Sequence, residues 1–480
     1  MTLARDVETV AVDTGASRRQ QPVLAVVFCV FLGVYLTTWG AHYTTGDGAV
    51  KRAWSHALLR GGGIDIDPAA PGVQVSKYGI GHSLVAVVPA ALAGAADPAF
   101  GIRSEMLLYT LLFVVNGATL VTMAAAYGRR HTGARSAWTI AALIGLGTTW
   151  WPHTKMDFTE PLVATALLGG FLLVRSGRVA LGMTVAGFCG LLRPDAFLLV
   201  AWLGAWVLWT RGPSMRRVAG VVVPTACAVA LHVATTYWRY GTPWATYPNE
   251  SFSTTAMDGL WGLLLSPGKS VFLYSPPLVL GVAGLLRAKH VSRERFVDAI
   301  FFAGVLAVQV CVYCRWWDWS GDDAWGPRFL LPGAVLATIP AIHVLDRKRL
   351  VALAMACGLT VQLCAVIVSP LDFIMMVRSS EGWRPGQFGA GASRVGLDDL
   401  RFNPRFSPIA GHVVLVGHLL GWVPASPPGA PETGMGTTLY EAFPASAWES
   451  TARWDPVLVR AGRCGVARAP GDTFRQCVLR

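Results

Sequence analysis

Charged residues are scarce in this sequence. Asp, Glu, Lys and Arg make up 14% of its 480 residues, whereas 53% are hydrophobic. Soluble globular proteins carry about 25% charged residues. Because the deficit extends along the chain, it excludes an ordinary soluble protein. It predicts an all-α bundle of transmembrane helices, with about eleven spans of roughly 20 apolar residues each.

Several catalytic motifs are also absent. The sequence has no GxGxxG, Walker A, HExxH or GxSxG pattern, so nucleotide-driven chemistry, zinc proteolysis and serine hydrolysis have no support. Six of the nine cysteines lie in apolar runs, where Cys acts as a small hydrophobe. Cys311 and Cys314 form a lone CxxC without the second pair of a zinc site. Cys464 and Cys477 predict a disulfide if the C-terminal tail is extracytoplasmic.

The net charge of +12 does not indicate a nucleic-acid partner. Most Lys and Arg residues cluster in short loops between apolar runs, which is the distribution of cytoplasmic loops in membrane proteins. Arg18 and Arg19 precede the first run. The pattern predicts a cytoplasmic tail over residues 1–21, a membrane module over 22–370 and an extracytoplasmic segment over 371–480.

The stretch from Gly46 to Gly81 lies in the first predicted outer loop, between the first apolar run and the rest of the chain. Val50, Trp54, Ala57 and Leu58 share one helical face there, while Lys51, Arg52, Ser55 and Arg60 lie elsewhere. This pattern predicts a helix lying on the membrane surface.

Asp47 stands at the start of this predicted helix. One interpretation is an N-cap, a position that Asp favours. The other is a general base at the membrane surface, which the helix N-terminus would keep ionised. The two roles are compatible.

Two further acids, Asp157 and Glu160, lie three residues apart in the second predicted outer loop. They suit capping of a helix before Pro161. If they converge with Asp47 on one cavity, they also suit binding of sugar hydroxyls or of a divalent cation.

Cations and tryptophans flank the predicted outer loops. Arg193 lies between two short apolar segments, where an Arg suggests function, although Asp195 would neutralise it. Together, Arg239, Lys269 and Arg328 would form a phosphate clamp; individually, each suits a residue at headgroup level. Trp317 and Trp325 lie in a loop crowded with Trp and Asp, including Asp322 and Asp323. They suit either an interfacial aromatic belt or stacking on sugar rings.

Several segments together resemble the GT-C superfamily of multi-span glycosyltransferases. The resemblance is to the branch that uses lipid-phosphate sugars, which includes protein O-mannosyltransferases and the aminoarabinose transferase of lipid A. It covers about residues 22–370, and its order of segments is more specific than any single motif. The segments, in chain order, are GDGAVK, KYGIGHSL, DFTEPL, LLRPD, YGTPWATY, SPGKSVFLYSPP and WGPRFLLP.

The resemblance implies an activity and its site. Asp47 would be the catalytic base, assisted by an acid of the second loop, and Lys77 and Arg193 best match the family's phosphate contacts. A polyprenyl-phosphate sugar would be the donor, with mannosyl or arabinosyl transfer as the family's examples. The acceptor would be a glycan, lipid or protein of the bacterial envelope, reached on the extracytoplasmic face. Family members often carry a second acid beside the base, whereas this chain has Gly48 there, so metal use stays open.

Two other classes of protein fit a polytopic chain. A flippase or transporter of lipid-linked sugars predicts inverted repeats and charges at the membrane midplane; the sequence favours neither feature, because its charges collect at one predicted face. A non-catalytic subunit of an envelope assembly complex predicts that loss of the Asp47 carboxylate is tolerated.

Overall fold

All regular secondary structure in the described part of the protein is helical. The computed structural model describes residues 21–61, 75–96, 101–243, 250–321, 324–379, 397–422, 448 and 451–456, and these ranges contain no β-strand. The all-α prediction is therefore confirmed for them.

The α-helices in chain order are α1 (Gln21–Thr37), α2 (Gly46–Leu59), α3 (Ile80–Ala96), α4 (Gly101–Thr132), α5 (Ala134–Gly147), α6 (Trp150–His153), α7 (Glu160–Arg175), α8 (Val179–Leu192), α9 (Phe197–Arg211), α10 (Met215–Tyr240), α11 (Ala256–Leu265), α12 (Val271–Tyr274), α13 (Leu278–Ala288), α14 (Arg293–Tyr313), α15 (Leu331–Thr338), α16 (Lys348–Ile367), α17 (Asp372–Ser379), α18 (Leu397–Phe402) and α19 (Pro408–Leu419). Short 3₁₀ turns cover Pro194–Ala196, Arg328–Leu330, Ile339–Val344 and Pro404–Phe406.

Four helices of the described chain are long and apolar enough to cross a membrane by themselves. They are Ser104–Thr132 within α4, then Met215–Tyr240, Arg293–Tyr313 and Lys348–Ile367. The shorter apolar helices have 10–17 residues, and one of them is the stretch from Arg328 to Val344, which combines α15 with the 3₁₀ turns around it. A count of about eleven spans therefore stays a prediction.

Prolines divide two of the apolar runs that the sequence analysis treats as single spans. The run Val271–Leu286 becomes α12 and α13, with Pro276 and Pro277 between them. The run Leu330–Leu345 becomes α15 followed by a 3₁₀ turn that contains Pro340. Proline lacks a backbone N–H and collides with the preceding turn, so an α-helix seldom continues through it.

Glycines allow the core helices to approach one another closely. A Cβ atom at Gly170 of α7 would lie 2.7 Å from the Gly182 carbonyl oxygen of α8, and one at Gly182 would lie 2.6 Å from the Gly170 carbonyl oxygen. Small residues at such crossings are typical of helices packed within membranes. The packed helices enclose a buried aromatic cluster that includes Phe171, Trp206 and Phe301.

Helix α2 packs into the protein, whereas the sequence predicts a helix lying on the membrane surface. Its buried residues include the basic pair Lys51 and Arg52 as well as Trp54 and Ala57. The prediction of a helix lying on the membrane surface was wrong for this basic pair, because Thr159 and Asp157 from the second loop bind Lys51 and Arg52 inside the protein.

The described part of the C-terminal segment packs on the rest of the molecule. Its buried cluster includes Phe373, Phe406, Leu415 and Trp448. Asp455 is also buried, and its Oδ1 lies 2.7 Å from Nε2 of His42, in the first predicted outer loop. Lys155, before the second-loop acids, also pairs with Asp455. The segment thus contacts both of these loops. Cys464 and Cys477 lie outside the described residues.

Asp372 at the start of α17 generates a pH prediction. Burial and the nearby Asp455 raise the pKa of Asp372 to about 7, against His42 and Lys155, which lower it. An unfolded Asp titrates near pH 3.9. The folded state therefore binds the proton more tightly than the unfolded chain does. The stability that this proton contributes is complete below about pH 4 and is lost as the pH rises to about 7.

We expect the melting temperature of Asp372→Asn, measured in the same detergent, to exceed that of the wild type by more at pH 8 than at pH 5. The control is Asp346→Asn, which removes an exposed carboxylate whose hydrogen bond with Arg287 lowers its pKa. The melting temperature of Asp346→Asn should not rise above that of the wild type between pH 5 and pH 8. Equal melting temperatures for Asp372→Asn and wild type at pH 8 would contradict the prediction.

The alternation of loops generates a second prediction. Basic loops are retained on the cytoplasmic side of membranes. Reporter fusions at Arg130 and Arg217 should therefore report a cytoplasmic position, and a fusion at Ser253 an extracytoplasmic one. A cytoplasmic signal at Ser253 would contradict the predicted orientation.

Candidate active site

Asp47 is bound through both carboxylate oxygens. The Tyr78 hydroxyl donates to Oδ1 at 2.6 Å, and Nη1 of Arg328 donates to Oδ2 at 3.0 Å. The Asp47 side chain is 27% exposed, whereas that of Arg328 is 6% exposed. The carboxylate therefore stands at the edge of a buried polar cluster, where a ligand can reach it.

The surroundings keep Asp47 ionised. Burial raises the pKa of this carboxyl, but the positive charges of Arg328 and Lys51 and the hydrogen bond from Tyr78 outweigh burial. The net result is a pKa well below the usual range of Asp. In this state the carboxylate is a weak base, so a change in its partners would be needed to strengthen it.

Asp47 does not cap helix α2. The N-cap is Thr45, whose hydroxyl oxygen accepts from the Gly48 backbone N–H at 2.9 Å. Asp47 follows in the first helical turn, so the capping interpretation was wrong. Because Thr45 supplies the cap, the Asp47 side chain is directed to Tyr78 and Arg328 instead.

Lys51 belongs to the same cluster, although the sequence analysis gave it no role. It is 2% exposed, its Nζ donates to the Thr159 hydroxyl at 2.8 Å, and it lies 4.6 Å from the centre of the Tyr78 ring. Burial lowers the pKa of Lys51 to about 8, although Asp47 and Glu160 raise it. The four-residue spacing from Asp47 to Lys51 was a usable signal, because residues four apart share one face of a helix.

Asp157 joins the second loop to helix α2. Its Oδ2 accepts from Nη1 of Arg52 at 2.6 Å, and its Oδ1 accepts from the Thr44 hydroxyl at 2.7 Å. The Asp157 side chain is 1% exposed. A Cβ atom at Gly48 would lie 1.9 Å from Asp157 Oδ2. This acid therefore occupies the space beside Gly48 and acts in this state as a structural partner of Arg52.

Buried Glu160 and half-buried Arg193 form a second pair. Glu160 accepts from Nη1 of Arg193. Nε of the same guanidinium lies 3.2 Å from Asp195 Oδ1, and its Nη2 donates to the Tyr313 hydroxyl at 2.8 Å. The Arg193 guanidinium lies 4.9 Å from the centre of the Phe329 ring. The neutralisation by Asp195 that the sequence analysis considered is thus present, and Glu160 contributes to it.

Two segments named in the sequence resemblance meet directly. A Cβ atom at Gly79 would lie 2.3 Å from the Leu191 carbonyl oxygen, so only glycine permits this approach of KYGIG to LLRPD. Arg239 secures the same segment, since its Nη1 donates to the carbonyl oxygens of Ser76 and Tyr78, both at 2.7 Å. Arg239 therefore positions Tyr78, because its buried guanidinium binds the backbone carbonyl groups of Ser76 and Tyr78.

Arg328 is positioned by its own loop. Its guanidinium lies 4.3 Å from the centre of the Phe158 ring and 4.9 Å from that of Phe329. Lys269 supports the loop by donating to the carbonyl oxygens of Ala324, at 2.9 Å, and Gly326, at 3.3 Å. Gly326 has a φ of 70°, a conformation that glycine adopts without strain.

The two candidate tryptophans differ in exposure. Trp325 is fully buried, and its indole Nε1 donates to Gln362 Oε1 at 3.2 Å. It therefore lies in the protein interior rather than on a sugar-binding surface. Trp317 is 46% exposed and stays a candidate for either a belt or a stacking residue. Lys77 is also exposed and contacts Glu250 at 2.6 Å.

The acids do not form a metal site in the described part of the chain. No group of three or more His, Cys, Asp or Glu side chains there could hold a metal ion. Asp157 and Glu160 are each paired with an arginine, so the two acids do not converge with Asp47 as cation ligands. Asp322 and Asp323 lie outside the described residues.

The arrangement combines an accessible carboxylate with buried cations at the meeting point of three predicted outer loops. The chemistry that it can perform is proton acceptance beside a site for a negatively charged group. Tyr78 and Lys51 are the members that the sequence analysis did not select.

Known proteins give a limited comparison. No protein-family model and no curated protein matches the chain. Two solved structures are similar to it, both at 16% identity. One is the crystal structure of ArnT from Cupriavidus metallidurans in the apo state, with 95% of this chain and 82% of that chain covered and a TM-score of 0.46. The other is ArnT from the same organism bound to undecaprenyl phosphate, with 76% and 69% covered and a TM-score of 0.47. ArnT is a GT-C aminoarabinose transferase.

The contact between Gly48 and Asp157 generates a prediction about the integrity of the site. We expect Gly48→Ala to lower the melting temperature, because its Cβ would overlap the Asp157 carboxylate; overpacking of this kind costs about 1–3 kcal/mol. Gly46→Ala is the matched control in the same helical turn, since a Cβ there meets nothing within 4 Å. Equal melting temperatures for the two variants would show that Asp157 moves aside without cost.

Proposed function

We propose that this protein is a membrane glycosyltransferase that moves a sugar from a polyprenyl-phosphate donor to an acceptor hydroxyl of the cell envelope. The observation that carries the proposal is the position of Asp47, an ionised and partly exposed carboxylate at the edge of a cluster that contains buried Arg328 and Lys51. Such a cluster pairs a proton acceptor with groups able to stabilise a departing phosphate. The sequence resemblance to GT-C glycosyltransferases supports the same reaction.

The proposed reaction is one inverting displacement. The acceptor oxygen attacks the anomeric carbon while the bond from that carbon to the phosphate oxygen breaks. The acceptor proton passes to Asp47, and the polyprenyl phosphate leaves with the bonding electron pair. Arg328 and Lys51 stabilise the negative charge that grows on the phosphate, and Lys77, which is exposed beside Tyr78, contacts it from the solvent side.

The buried acids position these groups in the proposed mechanism. Asp157 holds Arg52 and Glu160 holds Arg193, so α2, the second loop and the LLRPD turn keep their relative places. Precise placement matters because a reacting group displaced by about 1 Å can lose roughly 10²-fold in rate.

The proposed location is the bacterial plasma membrane, with the site on its extracytoplasmic face. The long apolar helices support the membrane location. The apolar donor chain would lie in the bilayer, and the acceptor, whether glycan, lipid or protein, would approach from the aqueous side. Residues 371–480 would lie on that same side.

Removal of the proposed base gives the decisive test. Asp47→Asn preserves the shape of the side chain and leaves the Thr45 cap intact. We expect a loss of about 10²–10⁴-fold in transfer rate, since general-base catalysis typically contributes that factor. The measurement is mass analysis of envelope glycans from a deletion strain carrying the variant, beside transfer assays with purified protein.

The control is Asp346→Asn, which removes an exposed carboxylate paired with Arg287. It should restore the glycan product to the deletion strain at the wild-type level. A normal product with Asp47→Asn, at equal expression, would overturn the catalytic role of Asp47 and favour a non-catalytic subunit.

A further inference from the structure

The Asp47–Arg328 ion pair occupies the two groups that the proposed reaction needs separately. Asp47 Oδ2 accepts from Arg328 Nη1 at 3.0 Å while Tyr78 holds Oδ1 at 2.6 Å. A carboxylate held in this way has little tendency to accept a proton, and the Nη1 group of Arg328 that holds it is engaged.

The two partners differ in their freedom to move. The Arg328 side chain is 6% exposed and lies between the rings of Phe158 and Phe329. Asp47 is 27% exposed and belongs to the first turn of α2. An incoming anion would therefore meet a fixed guanidinium, and the carboxylate would be the group that yields.

We propose that Arg328 exchanges Asp47 for the donor phosphate, so that donor binding itself releases the catalytic base. This inference rests on the proposed function. Guanidinium groups bind phosphate and carboxylate with the same N–H donors, so the two anions compete for the Nη1 group that now holds Asp47.

The exchange gives the reaction an order. Before the donor arrives, Asp47 is restrained by Arg328. When the phosphate takes Arg328, Asp47 keeps Tyr78 and Lys51 but loses one positive neighbour, and its affinity for a proton rises. After transfer, Asp47 loses its proton to water, pairs with Arg328 again and displaces the spent carrier phosphate.

Competition between two anions predicts a measurable effect on binding. A ligand that must first displace an internal partner binds more weakly than it would to the freed site. Removal of the Asp47 charge should therefore tighten binding of polyprenyl phosphate, although it abolishes the proposed base. A residue that merely supports the fold would not produce a gain in affinity.

The experiment measures binding of undecaprenyl phosphate, without a sugar, to the full-length protein in nanodiscs; undecaprenol, which lacks the phosphate, is the ligand control. We expect Asp47→Asn and Asp47→Ala each to bind about fivefold or more tightly than wild type, the lower end of usual coupling between sites. We expect Arg328→Gln to bind at least about tenfold more weakly, and Asp47→Asn to give no gain in the Arg328→Gln background.

Asp195→Asn is the matched comparison, because it removes one carboxylate partner of Arg193 rather than of Arg328. A larger gain for this variant than for Asp47→Asn would place the phosphate at Arg193 and overturn the exchange. An unchanged affinity of Arg328→Gln for undecaprenyl phosphate would also overturn the exchange. If the Asp47 variants do not fold, the affinity of Arg328→Gln tests the proposal by itself. No sugar is transferred in these measurements, so their failure is distinct from failure of the transfer assay.

Discussion

The neutralisation of two buried cations on one helix is the interaction on which the site depends. Lys51 and Arg52 enter the interior on adjacent positions of α2, and an unpaired charge there would be strongly unfavourable. Asp157 pairs with Arg52, while Thr159, Asp47 and Glu160 surround Lys51. Helix α2 can therefore be buried only when the second loop packs against it.

Within this network the acids divide into two kinds by exposure. Asp157 and Glu160 are almost fully buried, and each accepts a hydrogen bond from an arginine. Asp47 has the same kind of partner but stands at the edge, where a substrate can compete for that partner. A difference in exposure, rather than in residue type, thus separates the structural acids from the candidate catalytic one.

Glycines at the contacts between loops explain why motifs so distant in sequence can meet. Gly48 admits the Asp157 carboxylate, and Gly79 admits the backbone of Leu191. A side chain at either position would separate α2 from the second loop or Tyr78 from the LLRPD turn. The short segments of the sequence resemblance are therefore largely contact points, and Arg239 and Lys269 hold their backbones in place.

The sequence alone determined the apolar character of the chain and the all-helical character of its described part, because hydropathy can be read residue by residue. It also selected Asp47 and Arg328 as candidate site residues, a selection that stays a prediction. It did not determine which charges are buried. Helical periodicity separated Lys51 and Arg52 from the apolar face but did not reveal that they are buried, since it has no information about acids more than 100 residues away. Likewise, local pattern allowed Asp47 to be interpreted as a helix cap and Trp325 as a residue that stacks on sugar rings. Tertiary structure decided these roles, because burial and ion pairing depend on long-range contacts that no local pattern encodes.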